Sequence, residues 1–172
     1  MAKKNGLNLG MILGGAAALL GLVAFFMLFA PNLVSEVLNV KTEYSGLETV
    51  FGAAHKSTAL GKEVETEIFK FSFLSFLPYL LALVGVAMAV LAALGKLGKI
   101  APIVSAACFV VAAILFFIAV LTCVLNLPDK ATADDISKAK EVYSLGAGVI
   151  VAGVLSIIAA LANAANLVLN KK

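Results

Sequence analysis

Four apolar runs, Leu7–Ala30, Phe71–Leu94, Ile100–Leu125 and Val142–Leu169, contain no Asp, Glu, Lys, Arg or His. Each is longer than the roughly 20 residues a helix needs to cross a hydrocarbon core. An open sheet in lipid leaves its edge groups unpaired, so the runs read as helices. Composition closes the soluble alternative: 62% of the 172 residues are hydrophobic and 13% are charged, with a mean hydropathy of +1.07. Soluble domains hold roughly 45–50% apolar and about 25% charged residues. The expected fold class is therefore all-α membrane. It is a four-transmembrane-helix bundle forming one integral membrane domain over residues 1–172, with a small extracellular β-hairpin or three-stranded sheet in its first outer loop.

Lys3 and Lys4 precede the first run, as in a signal peptide, but its core exceeds the roughly 7–15 residues of such a segment. A retained first span is expected. Lys3, Lys4, Lys96, Lys99, Lys171 and Lys172 fall on one side, in short segments free of acidic residues. Lys41, Lys56, Lys62, Lys70, Lys130, Lys138 and Lys140 fall on the other, among all ten Asp and Glu residues. Undiluted lysines beside span ends mark the cytoplasmic side. Both termini are thus expected in the cytoplasm, with the plasma membrane as the location. The outer side then carries residues 31–70 and 126–141, and Gly95–Lys99 makes spans two and three an antiparallel hairpin.

Small residues recur every fourth position at Gly6, Gly10, Gly14 and Ala18 of span one, with Gly21 near the same face. Span four repeats the pattern at Ser144, Gly148, Ala152, Ser156, Ala160 and Ala164. Such ladders let helix backbones approach closely when lipid removes the hydrophobic drive. Gly10, Gly14, Ala18, Gly148, Ala152 and Ser156 are the expected packing positions, within one bundle or against another copy in a homo-oligomer. Asn163, Asn166 and Asn170 share a face of span four, where they bond to neighbouring helices or line a polar cavity.

Intramembrane ionisable groups mark proton relays and ion paths, and the spans hold none. Cys108 and Cys123, on one predicted helix, stand too far apart to pair. The chain has no CxxC, and His55 is its only histidine. No metal or cofactor set, nucleophile or general base emerges, so an enzyme is not expected. Arg is absent, and with it the usual reader of phosphates and base edges; nucleic acid is not an expected partner. The bilayer is.

Val40–Gly52 (VKTEYSGLETVFG) breaks the apolar pattern. With Ser45-Gly46 as a two-residue turn, Tyr44 would face Leu47, Thr42 would face Thr49 and Val40 would face Phe51, all on one side of a hairpin. Lys41, Glu43, Glu48 and Val50 would form the other side, with Glu43 and Glu48 unfavourably opposite. Lys62–Phe69 alternates as a third strand, and Gly52–Gly61 reads as a turn or short helix. The alternative is a loosely ordered, partly helical loop. Phe25, Phe26, Phe29, Phe69, Phe71, Phe73, Phe76, Tyr79 and Tyr143 crowd the outer span ends, where aromatics anchor in the interface.

Four spans, cytoplasmic termini, a larger strand-bearing first outer loop and a smaller second one resemble the claudin-type tetraspan proteins. Gly46-Leu47 falls where that family has a Gly-Leu-Trp element; Glu48 replaces the Trp, and the loop cysteine pair is missing. The resemblance implies contact between neighbours in the membrane or between cells. The expected function is a non-enzymatic structural or interaction component that meets another membrane or surface protein through Lys41, Glu43, Tyr44, Leu47, Glu48 and Phe51. Asp129, Asp134 and Asp135 would add a second outer surface. A small transporter, channel or accessory subunit is the alternative, resting on the asparagine face and on Pro78 as a kink.

Overall fold

A computed structural model describes residues 9–37, 40–59, 62–128 and 130–169, with the backbone alone over 53–59 and 62–66. Lys3, Lys4, Gly6, Asp129, Asn170, Lys171 and Lys172 lie outside the described residues, as do the side chains of the Lys62–Phe69 alternation up to Thr66. In chain order the elements are α1 (Leu9–Phe26), a 3-10 turn (Met27–Phe29), β1 (Pro31–Val37), β2 (Val40–Ser45), α2 (Gly46–Phe51), β3 (Ala53–Ala59) and β4 (Lys62–Lys70). There follow α3 (Phe73–Ala93), α4 (Ile100–Phe117), α5 (Ala119–Thr122), β5 (Val124–Leu125), α6 (Ala133–Lys140), β6 (Tyr143–Leu145) and α7 (Ala147–Leu169). Among the described residues, four helices are long and apolar enough to cross a membrane: α1 with its 3-10 turn, α3, α4 and α7. The chain divides into two compact units.

The helical unit gathers residues up to Phe26, Pro78–Ile114 and the chain from Ala152. Its core is built from small residues. Ala17, Ala18, Ala82, Ala89, Ala159 and Ala160 form one buried cluster with Phe109. A methyl added at Gly21 or Gly85 would come within 2.4 or 3.0 Å of the Phe109 ring, so these glycines make the notch that accepts it. Gly14 lies against the α3 backbone, where a Cβ would stand 2.9 Å from the Ala93 nitrogen. Large aliphatic side chains point outward instead: Leu19 is 67% exposed, Leu161 64% and Ile114 56%. Soluble proteins bury such residues; here the pattern is inverted. The α3–α4 connection turns through the left-handed region at Gly95, Leu97 and Gly98.

Gly10, Gly14, Ala18, Ala152 and Ser156 are buried, but the strict step of four does not persist. Ala164 is exposed, and the buried stripe of α7 runs through Ala152, Ser156, Ala159, Asn163 and Asn166. Four residues overshoot one helical turn by about 40°, so a step of four drifts off any fixed face. Ser144 is in a strand. Gly148 meets no helix in this respect: its Cβ would come within 2.7 Å of the Pro31 carbonyl oxygen.

The second unit, Met27–Leu77 with Leu115–Val151, holds two antiparallel three-stranded sheets, ordered β2-β1-β6 and β3-β4-β5. β1 pairs with β2 in a register of Val37 to Val40 and Val34 to Glu43, and with β6 in a register of Leu33 to Leu145. β4 pairs Phe69 with Leu125 and Lys70 with Val124 of β5. Each sheet thus joins the segment after α1 to the segment after α4.

The expected Ser45-Gly46 hairpin is overturned. Ser45 ends β2 and caps α2 in a capping box: its hydroxyl accepts from the Glu48 amide at 3.3 Å, while Glu48 Oε2 accepts from the Ser45 amide at 2.7 Å. Serine followed three residues later by glutamate satisfies two helix-end donors reciprocally, a better outcome than a turn that opposes Glu43 to Glu48. The partner of β2 is β1. Gly52–Gly61, expected as a turn or short helix, contains β3. Gly52 has φ +110°, a conformation that favours glycine.

Two span boundaries also move. The third apolar run was expected to be helical to Leu125, yet α4 stops at Phe117 and short α5 at Thr122. Thr122 Oγ1 donates to the Ala119 carbonyl at 3.1 Å, which also accepts from the Cys123 amide, and Lys140 Nζ donates to the Leu121 carbonyl at 2.7 Å at the end of the helix. The fourth run begins its helix at Ala147 rather than Val142, because Tyr143–Leu145 pairs with β1.

Candidate interaction surfaces

Asn32, only 3% exposed, organises the ground under α2. Its Nδ2 donates to Thr49 Oγ1 at 2.9 Å, and that hydroxyl donates to the Gly46 carbonyl at 3.0 Å. The Asn32 backbone oxygen accepts from the Gly146 amide at 2.8 Å. One residue of β1 therefore fixes both α2 and the chain entering α7. Beside the last turn of α2, Ser72 Oγ donates to the Thr122 carbonyl at 2.7 Å and accepts from the Ser75 amide at 3.1 Å, capping α3.

The six residues expected to form one interaction face separate into different roles. Tyr44 is 8% exposed, with its ring 5.0 Å from Phe69 and 6.1 Å from Tyr143; it is core. Burial, with Tyr44 and Cys123 adding to it, pushes the Tyr143 phenol up to about 12. Glu48 is committed to the cap, and Leu47 is half-buried. Phe51 is 54% exposed and packs against Phe71 and Phe76. Lys41 and Glu43 are exposed and joined at 3.5 Å, a surface pair that contributes little to stability.

What remains free at this edge is the end of the β1–β2 hairpin. Val37 and Val40 are registered opposite one another and are 51% and 64% exposed. Glu36 and Lys41, the next register pair, flank them. Two uncovered valines inside a charged rim have the form of a small contact patch. Val37 carried no role in the sequence, since its strand was not recognised there. Among the described residues β2 is also an edge strand.

The second connecting segment carries α6, capped by Thr132 and Asp135. The Thr132 amide and hydroxyl donate to Asp135 Oδ2 at 2.9 and 2.8 Å, which holds that carboxyl below its usual range. A depressed folded pKa means the cap's contribution is present above the unfolded value and is lost as pH falls through the folded one. Amide exchange over 133–140, corrected for intrinsic rates, should accelerate on acidification through the carboxylate range. Asp135→Asn should leave the same amides insensitive to pH there. Asp134 is exposed on the same turn. A cavity of about 320 Å³ opens between Cys123, Leu125, Leu127, Pro128, Ile136 and Lys140.

In the helical unit, Asn163 and Asn166 are buried and bonded to neighbours. Asn163 Nδ2 donates to Ser105 Oγ at 3.0 Å, and Ser105 Oγ donates to the Gly85 carbonyl at 2.7 Å, linking α7, α4 and α3. Asn166 Nδ2 donates to the Gly10 carbonyl of α1 at 3.3 Å. Helix α3 continues through Pro78. Cys108 and Cys123 are free thiols.

No protein-family model matches this chain, and no curated protein or solved structure does either.

Proposed function

We propose that this is a four-span integral membrane protein that performs no chemistry and acts as a structural or interaction component. It works through the sheet-bearing segments on one side of the bilayer. The observation that carries this is the pairing of β1 with β6 and β4 with β5, which makes the two connecting segments one folded body. Outward-facing Leu19, Ile114 and Leu161 meet lipid, and the alanine core lets the helices approach without a hydrophobic drive between them. Acid-free Lys96 and Lys99 argue that the short α3–α4 connection is cytoplasmic, as are both termini, with the sheets outside the plasma membrane. This layout is the ground for keeping the claudin-type likeness, and with it a role in contact between neighbouring membrane proteins or cells. The contact patch is Val37 and Val40 with Glu36, Lys41 and Glu43 around them. A second copy or another surface protein fits it.

The interaction reading is favoured over the transporter or channel alternative by the amide donors of Asn163 and Asn166, which go to helix-to-helix bonds, although Asn163 Oδ1 is buried with no hydrogen-bond partner among the described residues. A photo-crosslinking side chain at Val40 should give a discrete higher-mass adduct in intact membranes, and adding Val37→Lys should remove it. No adduct at Val40, or one indifferent to Val37→Lys, would contradict the assignment of the patch.

A further inference from the structure

Phe51 is the one large apolar side chain that α2 leaves more than half exposed. Thr49 and Val50, its neighbours, are 1% and 0% exposed, so the helix is seated firmly and its last residue is turned outward. The Phe51 ring lies 6.1 Å from Phe71 and 5.6 Å from Phe76, at tilts of 32° and 54°. Phe71 and Phe73 are themselves 56% and 59% exposed. The result is a phenylalanine patch continuous with the first turns of α3, held in place from two directions. The α2 C-terminus is fixed to it by the Ser72 amide, which donates to the Val50 carbonyl at 2.9 Å.

We propose that this patch docks α2 onto the bilayer, with Phe51 inserted at the boundary between headgroups and acyl chains beside the start of α3. The inference rests on α3 being a span. If it is, Phe73 and Leu74 begin the hydrocarbon and the residues just before them lie at headgroup depth, where aromatic side chains anchor. Exposed Lys70 directly precedes Phe71, which sets a cation at the level of the phosphates. Polar Ser45 and Glu48 occupy the opposite end of α2, the end that stays in water. Taking phenylalanine surface out of water is favourable, a gain that protein packing leaves largely unrealised at Phe51, Phe71 and Phe73. Lipid collects it. The docking sets the height of the sheets above the membrane, so the β1–β2 hairpin is presented at a fixed distance.

The chain contains no tryptophan, so Phe51→Trp introduces a single indole at an exposed aromatic position. Reconstituted in phosphatidylcholine vesicles, its emission should be blue-shifted and quenched more by lipids brominated near the headgroup than by lipids brominated near the chain ends. Two further variants bracket it: Leu83→Trp, within α3, should be quenched best by deep bromines, and Val40→Trp should emit as a water-exposed indole. Quenching at Leu83→Trp without quenching at Phe51→Trp would overturn the docking alone and leave the span intact. A blue-shifted but unquenched Phe51→Trp would assign the patch to a protein partner and overturn it too. Loss of quenching at both positions would remove the span and the docking together.

Discussion

Gly146→Ala should separate β6 from β1 and destabilise the sheet unit by about 3 kcal/mol, the upper end of ordinary overpacking. The Gly146 amide donates to the Asn32 carbonyl at 2.8 Å, and a Cβ built at Gly146 would stand 2.4 Å from the Pro31 oxygen and 2.9 Å from the Asn32 carbonyl carbon. Those neighbours are backbone. They can move only if the strand moves, and β1 is the central strand of its sheet, tied to α2 through Asn32 and Thr49. By contrast, Gly15 has nothing within 4 Å of a built Cβ, and Gly15→Ala should be tolerated. The comparison is read as thermal unfolding of the two detergent-solubilised variants against the parent. Equal midpoints for both alanine variants would mean that β6 does not pack on β1 as described.

Phe69→Ala should cost about 3–5 kcal/mol, the range for truncating a buried phenylalanine. Phe69 belongs to β4 yet is 1% exposed between Tyr44 of β2 and Tyr143 of β6, at ring distances of 5.0 and 5.5 Å. Through it the β3-β4-β5 sheet meets the β2-β1-β6 sheet. Edge-to-face aromatic pairs add about 0.5–1.5 kcal/mol beyond area burial, so Phe69→Leu should recover part of the loss but not all. Protease resistance of the sheet unit in folded, reconstituted protein is the readout. Phe69→Ala should be cut within Pro31–Lys70 under conditions that spare the parent, with Phe69→Leu between them. A parent-like digestion pattern for Phe69→Ala would show that the two sheets do not depend on each other.

The four long apolar helices were legible because a run without a single charge has few alternatives at these lengths. Their ends were not, because hydropathy reports cover by apolar surroundings and cannot distinguish lipid from protein. Tyr143–Leu145 looked like the start of a helix and is a strand paired with β1. Ala119–Leu125 looked like its continuation and is a broken end. The sheet was half legible. Lys62–Phe69 alternates and lies in β4, although β3, its partner, is rich in Ala, a residue of little strand propensity; pairing with β4 decides it. β1 escaped notice for the opposite reason. Asn32, Leu33, Val34 and Ser35 are all buried, so this central strand shows no alternation. Ser45-Gly46 fits both a hairpin turn and the start of a capping box, and the glutamate at position 48 was the signal that distinguishes them. That one substitution of motif moved Tyr44 into the core, committed Glu48 to a cap and turned Phe51 toward the start of α3.

The central claim, four crossings with both sheet-bearing segments on one outer face, is tested most directly by site-specific labelling. In a chain with Cys108→Ala and Cys123→Ala, single cysteines at Glu43, Ser137 and Lys96 sample β2, α6 and the α3–α4 connection, all exposed positions. Treated with a membrane-impermeant maleimide, intact cells should label Glu43→Cys and Ser137→Cys, while Lys96→Cys should react only after permeabilisation. Labelling of Lys96→Cys alone in intact cells would invert the orientation, and opposite behaviour of Glu43→Cys and Ser137→Cys would contradict the four-span topology itself.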